Sequence, residues 1–199
     1  MWEVPMSTRP ETMPENDVVE LLLHQHVEIR RLFTEVRNAA ESDRREAFDR
    51  LRRLLAVHET AEEMIVHPDA RRVLDDGDRV VDARLEEENA AKRKLEELEQ
   101  MDPAEPGFVS KLTALEAAVL DHAAHEEQEE FPRIKAAHSS ARLKAMGVAV
   151  KAAEAMAPTH PHAGVESAKA NVLVGPYAAM MDRAGDVIRQ TMQRSSGDQ

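Results

Sequence analysis

The chain contains no cysteine. That excludes disulfides, zinc–thiolate and iron–sulfur sites, and thiol catalysis. Aromatic residues make up only 3% of its 199 positions, with one tryptophan and one tyrosine, although the apolar share is enough for a core. No apolar run approaches the ~18–20 residues of a membrane span. The N-terminal stretch MWEVPMSTRPETMPEN has none of the apolar character of a signal peptide. A cytoplasmic protein of bacterial type is expected. Positive charge is in short supply: the formal net charge is −12. Such an acidic surface argues against nucleic acid or an anionic membrane as partner.

What the chain does have is Ala, Leu, Glu, Arg and Lys, with 42% apolar residues and only seven glycines. This composition favours helix over sheet, and the length fits one domain of ordinary size. Residues 1–15, with three prolines, read as a flexible leader. Asn16 or Asp17 caps a first helix that runs to about Ala40, with a stripe of Val19, Leu22, Ile29, Phe33 and Val36. The position that completes the series is His26. A second helix, to about His67, carries Phe48, Leu51, Leu55 and Ile65, and its series is completed by His58 and Glu62. Pro68 and DDGD are expected to break the chain before a third helix, which carries Val81, Leu85, Leu95 and Leu98. The same spacing selects Glu88 and Lys92 there. After the turn cluster MDPAEPG, a fourth helix carries Leu112, Leu115 and Val119, and the series continues into His122 and Glu126.

Four helices with short connections predict an all-α fold, an up-down-up-down antiparallel four-helix bundle over residues 16–138. Residues 139–199 read as a C-terminal helical extension. SARLKAMGVAVKAAEAMA is its first helix, PTHPHAGVESA a Pro/His linker, and NVLVGPYAAMMDRAGDVIRQTM a last amphipathic segment. That last segment is expected to pack on the bundle or to form a homodimer.

Six metal-competent side chains therefore interrupt apolar seams: His26, His58, Glu62, Glu88, His122 and Glu126. At 1.5 Å per residue they fall at one level, about 15 Å from one end of the bundle. Two of the stretches are near copies, HETAEEMIVHP from His58 and HAAHEEQEEFP from His122. Residues i and i+4 share a helical face, so each H-x-x-x-E pair offers an imidazole and a carboxylate to one centre, or bridges two. Such ligands suit iron, manganese or zinc. A buried His–Glu network with no metal would have to desolvate three carboxylates without cations, which is costly.

The chain resembles the hemerythrin-like, or HHE cation-binding, family over about residues 17–135. The matches are LLLHQHVEIRRLF with His26, HETAEEMIVHP with His58 and Glu62, and HAAHEEQEEFP with His122 and Glu126. The tail is similar to an extension of bacterial members. The third helix departs from the family: where a histidine is usual, LEEENAAKRKLEEL places Glu88. The resemblance implies two iron ions, oxo- or hydroxo-bridged, with Glu62 and Glu126 bridging and His26, His58, His122 and Glu88 terminal. It implies dioxygen, hydrogen peroxide or nitric oxide as small-molecule partners. A carboxylate at Glu88 favours the ferric state, which favours catalase-like peroxide decomposition over oxygen carriage. A sensor or buffer of iron, oxygen or nitric oxide without turnover is the alternative. Catalysis is expected to reside in the metal centre itself.

Of the other candidates, His24, His125, His160 and His162 are expected on the surface. His67 reads as a packing or end-cap residue, and Glu63 and Glu127 as orienters of the histidines. Lys92 is expected to reach solvent or to pair with an acid. Glu59 is weighed as an extra ligand against an exposed side chain, and Tyr177 is expected in core packing rather than reaching the pocket from the tail.

Overall fold

The computed structural model describes residues 17–155 and position 193. The leader, His160, His162, Tyr177 and the segment expected to form a homodimer lie outside the described residues.

Helix α1 spans Val18–Asn38. Its cap is Asp17, whose side chain accepts a hydrogen bond from the Glu20 backbone N–H at 2.9 Å. Two residues link it to α2, Glu41–Ala61. A link this short forces the two helices antiparallel. The chain then passes through a π turn, Glu62–Val66, into α3, His67–Val73. Helix α4 is Gly77–Glu99. Helix α5, Phe108–His125, starts behind Gly107, whose φ of 101° suits a residue without a Cβ. A second π turn, Glu126–Glu130, leads into α6, Phe131–Ala137, and α7 is Ser140–Glu154. Helices α1, α2, α4 and α5 form the antiparallel bundle, and α7 packs on α1 and α2. No described helix is long and apolar enough to cross a membrane.

The chain does not break at Pro68. It stays helical through both prolines because each is preceded by a π turn. The His67 backbone N–H donates to the Glu62 carbonyl, and the Phe131 N–H donates to the Glu126 carbonyl, each five residues back. Pro68 and Pro132 bring no N–H, and a proline ring collides with the carbonyl four residues before it in a regular helix. Widening the turn by one residue relieves that collision. The shared frame of the two near copies, a glutamate followed five residues later by a ring and then a proline, therefore encodes the π turns. Such turns are frequent at functional sites.

The apolar core has two parts. One holds Val19, Leu22, Ile65, Val81 and Phe131; the other holds Ile29, Phe33, Phe48, Leu55, Phe108 and Val119. Each bundle helix runs from one part to the other through a polar step: His26 on α1, His58 and Glu62 on α2 and its π turn, Glu88 on α4, His122 and Glu126 on α5 and its π turn. Helix α7 is tied down by Asp69 of α3, which accepts from His138 and from Arg142 at 3.1 Å. Burial pushes the Asp69 carboxyl up. Hydrogen bonds from His138 and Arg142 more than offset this and hold it below the usual range.

Candidate metal centre

All six residues selected by seam spacing come together in the polar layer, each at most 6% exposed. Two donor groups can be drawn. His26, His58, Glu62 and Glu126 each offer one ligand atom, all within 4.8 Å of one another; Glu62, Glu88 and His122 do the same. Glu62 is common to both. Glu126 is divided: its Oε2 lies 3.3 Å from His26 Nε2 and its Oε1 lies 3.5 Å from His122 Nε2.

The direction of each imidazole follows from its outer partner. His26 Nδ1 is 2.9 Å from a Glu127 oxygen, and His122 Nδ1 is 3.1 Å from Glu87. His58 Nδ1 is 2.7 Å from Gln25 Oε1. All three partners present acceptors, so each Nδ1 carries the proton and donates. In the neutral ring Nε2 is then a bare lone pair, and all three Nε2 atoms face inward. His26 Nε2 and His58 Nε2 stand 3.2 Å apart. Two lone pairs with carboxylate oxygens around them repel unless a cation sits among them. An outer hydrogen bond that fixes the ring in this way is the usual support of a metal-binding histidine.

The carboxylates support the same fit. Both oxygens of Glu62, both of Glu126, Oε2 of Glu88 and Nε2 of His122 are buried without a hydrogen-bond partner. Leaving buried polar atoms unmade is expensive, and more so for charged ones. Without a cation, protons take its place. Burial, then the neighbouring Glu126, raises the Glu62 carboxyl well above its ordinary range. Burial lowers the His122 ring, but Glu126, Glu87 and Glu88 outweigh it and push it up to about 9. Burial and the adjacent His26 push His58 down to about 3, so that ring is neutral.

Several residues differ from expectation. His67 is no end cap. It is buried, with Nε2 2.6 Å from Glu88 Oε1 and Nδ1 3.5 Å from Glu130 Oε1. Its counterpart Phe131 stacks on His26, ring centroids 5.7 Å apart. One half of the centre thus pairs two rings where the other pairs imidazole with carboxylate. This is how the sequence accommodates a glutamate on α4. Glu127 does orient a histidine, but Glu63 instead accepts from Lys92. The outer partners of His58 and His122 are Gln25 and Glu87. Gln25 was legible as a seam position, since it lies three residues after Leu22 and four before Ile29. Lys92 is buried and pairs with acids, 3.6 Å from Glu59 Oε2 and 3.6 Å from Glu88 Oε2. Glu59 is buried rather than exposed. His24 is exposed and His125 partly so. A cavity of about 10 Å³, room for the centre of one water-sized molecule, is lined by His26, His58, Glu59, Glu88 and His122 with Ile29, Leu55 and Val119.

Residues 17–134 match the model of the hemerythrin HHE cation binding domain. A curated relative, a DNA nickase of Nostoc sp. (strain PCC 7120), is 27% identical over 139 residues, covering 69% of this chain; the chain spans 39% of that relative's length. Among solved structures, a hemerythrin HHE cation binding domain-containing protein of Mycobacterium kansasii, an Rv2633c homolog, shares the fold. Its TM-score is 0.63 at 19% identity, over 85% of this chain and 99% of that one. The paired H-x-x-x-E turns lie inside the matched segment, which covers more than half of the chain, and the chain belongs to the hemerythrin HHE cation-binding family.

Proposed function

We propose that the chain is a non-haem di-iron protein that binds or reacts with dioxygen or hydrogen peroxide, with catalase-like peroxide decomposition as its activity. One observation carries the reading: two donor groups of imidazole and carboxylate share Glu62, and Glu126 turns one oxygen to each. In this reading Glu62 and Glu126 would serve both positions, His26 and His58 would complete one, and His122 and Glu88 the other. Such nitrogen and oxygen donors suit iron, and four per ion leave room for a further small ligand. When bound, the pair of ions supplies one-electron and two-electron redox chemistry.

The chain's own residues shape the rest. Ile29, Leu55 and Val119 line the cavity beside the histidines, which favours a two-atom ligand over a larger organic one. His67 and Lys92 offset part of the Glu88 charge, so the pull of that carboxylate towards the ferric state is smaller than residue type alone implies. His67 also holds a proton beside the centre. Burial lowers this ring, but Glu88 and Glu130 outweigh burial and raise it well above its usual value. Peroxide disproportionation passes two protons from the peroxide that is oxidised to the water formed from the one that is reduced, and His67 Nε2 is placed to hold one in transit. DNA nicking is not carried over, because a chain of net charge −12 has little attraction for a phosphate backbone.

The test is elemental analysis, a visible spectrum and an oxygen electrode on iron-loaded protein. Two irons per chain with oxygen evolution from peroxide is the expected result. Two irons without evolution would leave a sensor or buffer, and zinc alone or no metal would sink the di-iron reading.

Loading is also expected to release protons. In the metal-free protein His122, raised to about 9, is protonated at pH 7, and Glu62 holds its proton more tightly than an ordinary carboxyl. His122 must lose its proton to bind metal. Uptake at pH 7 therefore liberates about one proton per chain from His122 and weakens as pH falls; above about pH 9 that contribution disappears. Calorimetric titration with ferrous iron in two buffers of different protonation heat measures the number. A release of zero at pH 7 contradicts the expectation.

A further inference from the structure

Helix α7 lies beyond the segment that matches the family, yet it reaches the centre. Glu154, at its C-terminal end, accepts a hydrogen bond from Gln25 Nε2. The same Gln25 amide turns its Oε1 to His58 Nδ1 at 2.7 Å. The chain of contacts runs from the Glu154 carboxylate through one amide to the imidazole whose Nε2 faces His26, Glu62 and Glu126.

An amide between two partners has two orientations, and what holds it decides which. A carboxylate accepts and does not donate, so Glu154 draws the NH2 end of Gln25 towards α7. That leaves the oxygen end for His58, which must then carry its proton on Nδ1. Turned the other way, Gln25 would present N–H to Nδ1. His58 would become the Nε2–H tautomer, with its proton aimed into the donor group. That alternative has a local attraction: His26 Nε2, 3.2 Å away, is a lone pair able to accept from it. Such a bond would occupy both nitrogens at once. Something must hold His58 against it, and among the described residues Glu154 is what faces the far end of Gln25.

We infer that Glu154 is a positioning residue for the metal centre: through the Gln25 amide it sets the tautomer of His58 and keeps its Nε2 open. The C-terminal extension is then a working part of the centre, and displacement of the end of α7 would close one of its nitrogen donors. This rests on the reading of His58 as a metal donor for its consequence, but not for the tautomer itself.

The test uses the full chain with Glu154→Gln and Glu154→Lys. Glutamine presents either an acceptor or a donor to Gln25. Lysine presents only donors and favours the reversed amide. Nitrogen–proton correlation spectra of the metal-free protein report directly which ring nitrogen of His58 carries the proton. Nδ1–H is expected in the parent, a mixture in Glu154→Gln, and Nε2–H in Glu154→Lys. Ferrous iron titrated against a competing chelator should bind about 10- to 100-fold more weakly in Glu154→Lys, the usual cost of losing an outer partner of a metal-binding histidine. Glu154→Gln should fall between. If His58 remains the Nδ1–H tautomer in both variants, the inference is overturned, whatever the metal does. If the tautomer switches as expected but the parent binds no iron, the positioning role stands and the di-iron reading falls. Glu154→Gln alters one atom at a half-buried helix end, so it provides a folded variant even if Glu154→Lys does not.

Discussion

Glu62→Gln is expected to abolish binding at both metal positions while leaving the fold intact. Glu62 is the one residue common to the two donor groups, and neither of its oxygens has a hydrogen-bond partner. The amide keeps the shape but replaces one oxygen by an NH2 group, which can only donate. That group would face His58 Nε2, 3.4 Å from Glu62 Oε2, and occupy the lone pair that the metal needs. One substitution thus removes a shared anionic donor and blocks a second one. Loss of an outer partner alone costs about 10- to 100-fold in affinity. Loss of the shared donor should lower affinity by more than about 100-fold, and under the proposed di-iron reading iron content should fall from two per chain to below one. The metal-free protein should respond in the opposite way. Burial and Glu126 raise its Glu62 carboxyl well above the ordinary range and make it costly to ionise, so glutamine puts an un-ionisable group there and adds a donor for His58. Its thermal midpoint should stay level or rise. Two irons per chain at parental affinity in this variant would remove Glu62 from the site.

The second large effect is expected at Lys92. Its ammonium is buried among Glu59, Glu63 and Glu88. Lys92→Met keeps the volume of the stem and deletes the charge. Removing one partner of a buried ion pair costs about 3–5 kcal/mol, because the opposite charge is left without compensation. For a chain of this size about 1 kcal/mol shifts the thermal midpoint by roughly 2–4 °C, so a fall of roughly 10 °C or more is expected in the metal-free protein. Burial already pushes the Glu59 carboxyl up to about 8, even with Lys92 lowering it. Adding Glu59→Gln to Lys92→Met removes one of the stranded carboxylates and should recover part of the loss. A midpoint within a degree or two of the parent in Lys92→Met would show that the ammonium is not needed to balance those acids. Metal loading should narrow the gap, since a cation beside Glu88 offsets some of the missing charge.

The fold and most of the centre were legible from one dimension of information. Seam spacing picks out His26, His58, Glu62, Glu88, His122 and Glu126, because a side chain on a regular helix leaves from a face set by its position in the 3.6-residue repeat. The same reasoning failed at His67 and Glu130. His67 follows one π turn and Glu130 closes the other, and each turn adds one residue and shifts the phase of what comes with and after it. Extrapolating a regular helix from Glu62 does not turn His67 inward; widening the turn does. The available signal was the proline, six residues after a buried glutamate in both copies.

The sequence by itself determined which faces the helices bury, that four helices make the bundle, and which donors stand at one level. These are consequences of local periodicity and short connections. Only the tertiary structure decided which groups meet those donors from behind. Gln25 and Glu154 are 129 positions apart, and His26 and Glu127 are 101 apart. Periodicity fixes the direction in which a side chain leaves its helix. It carries no information about which distant helix will be packed there to receive it, and on that packing depends which nitrogen of each histidine is left free.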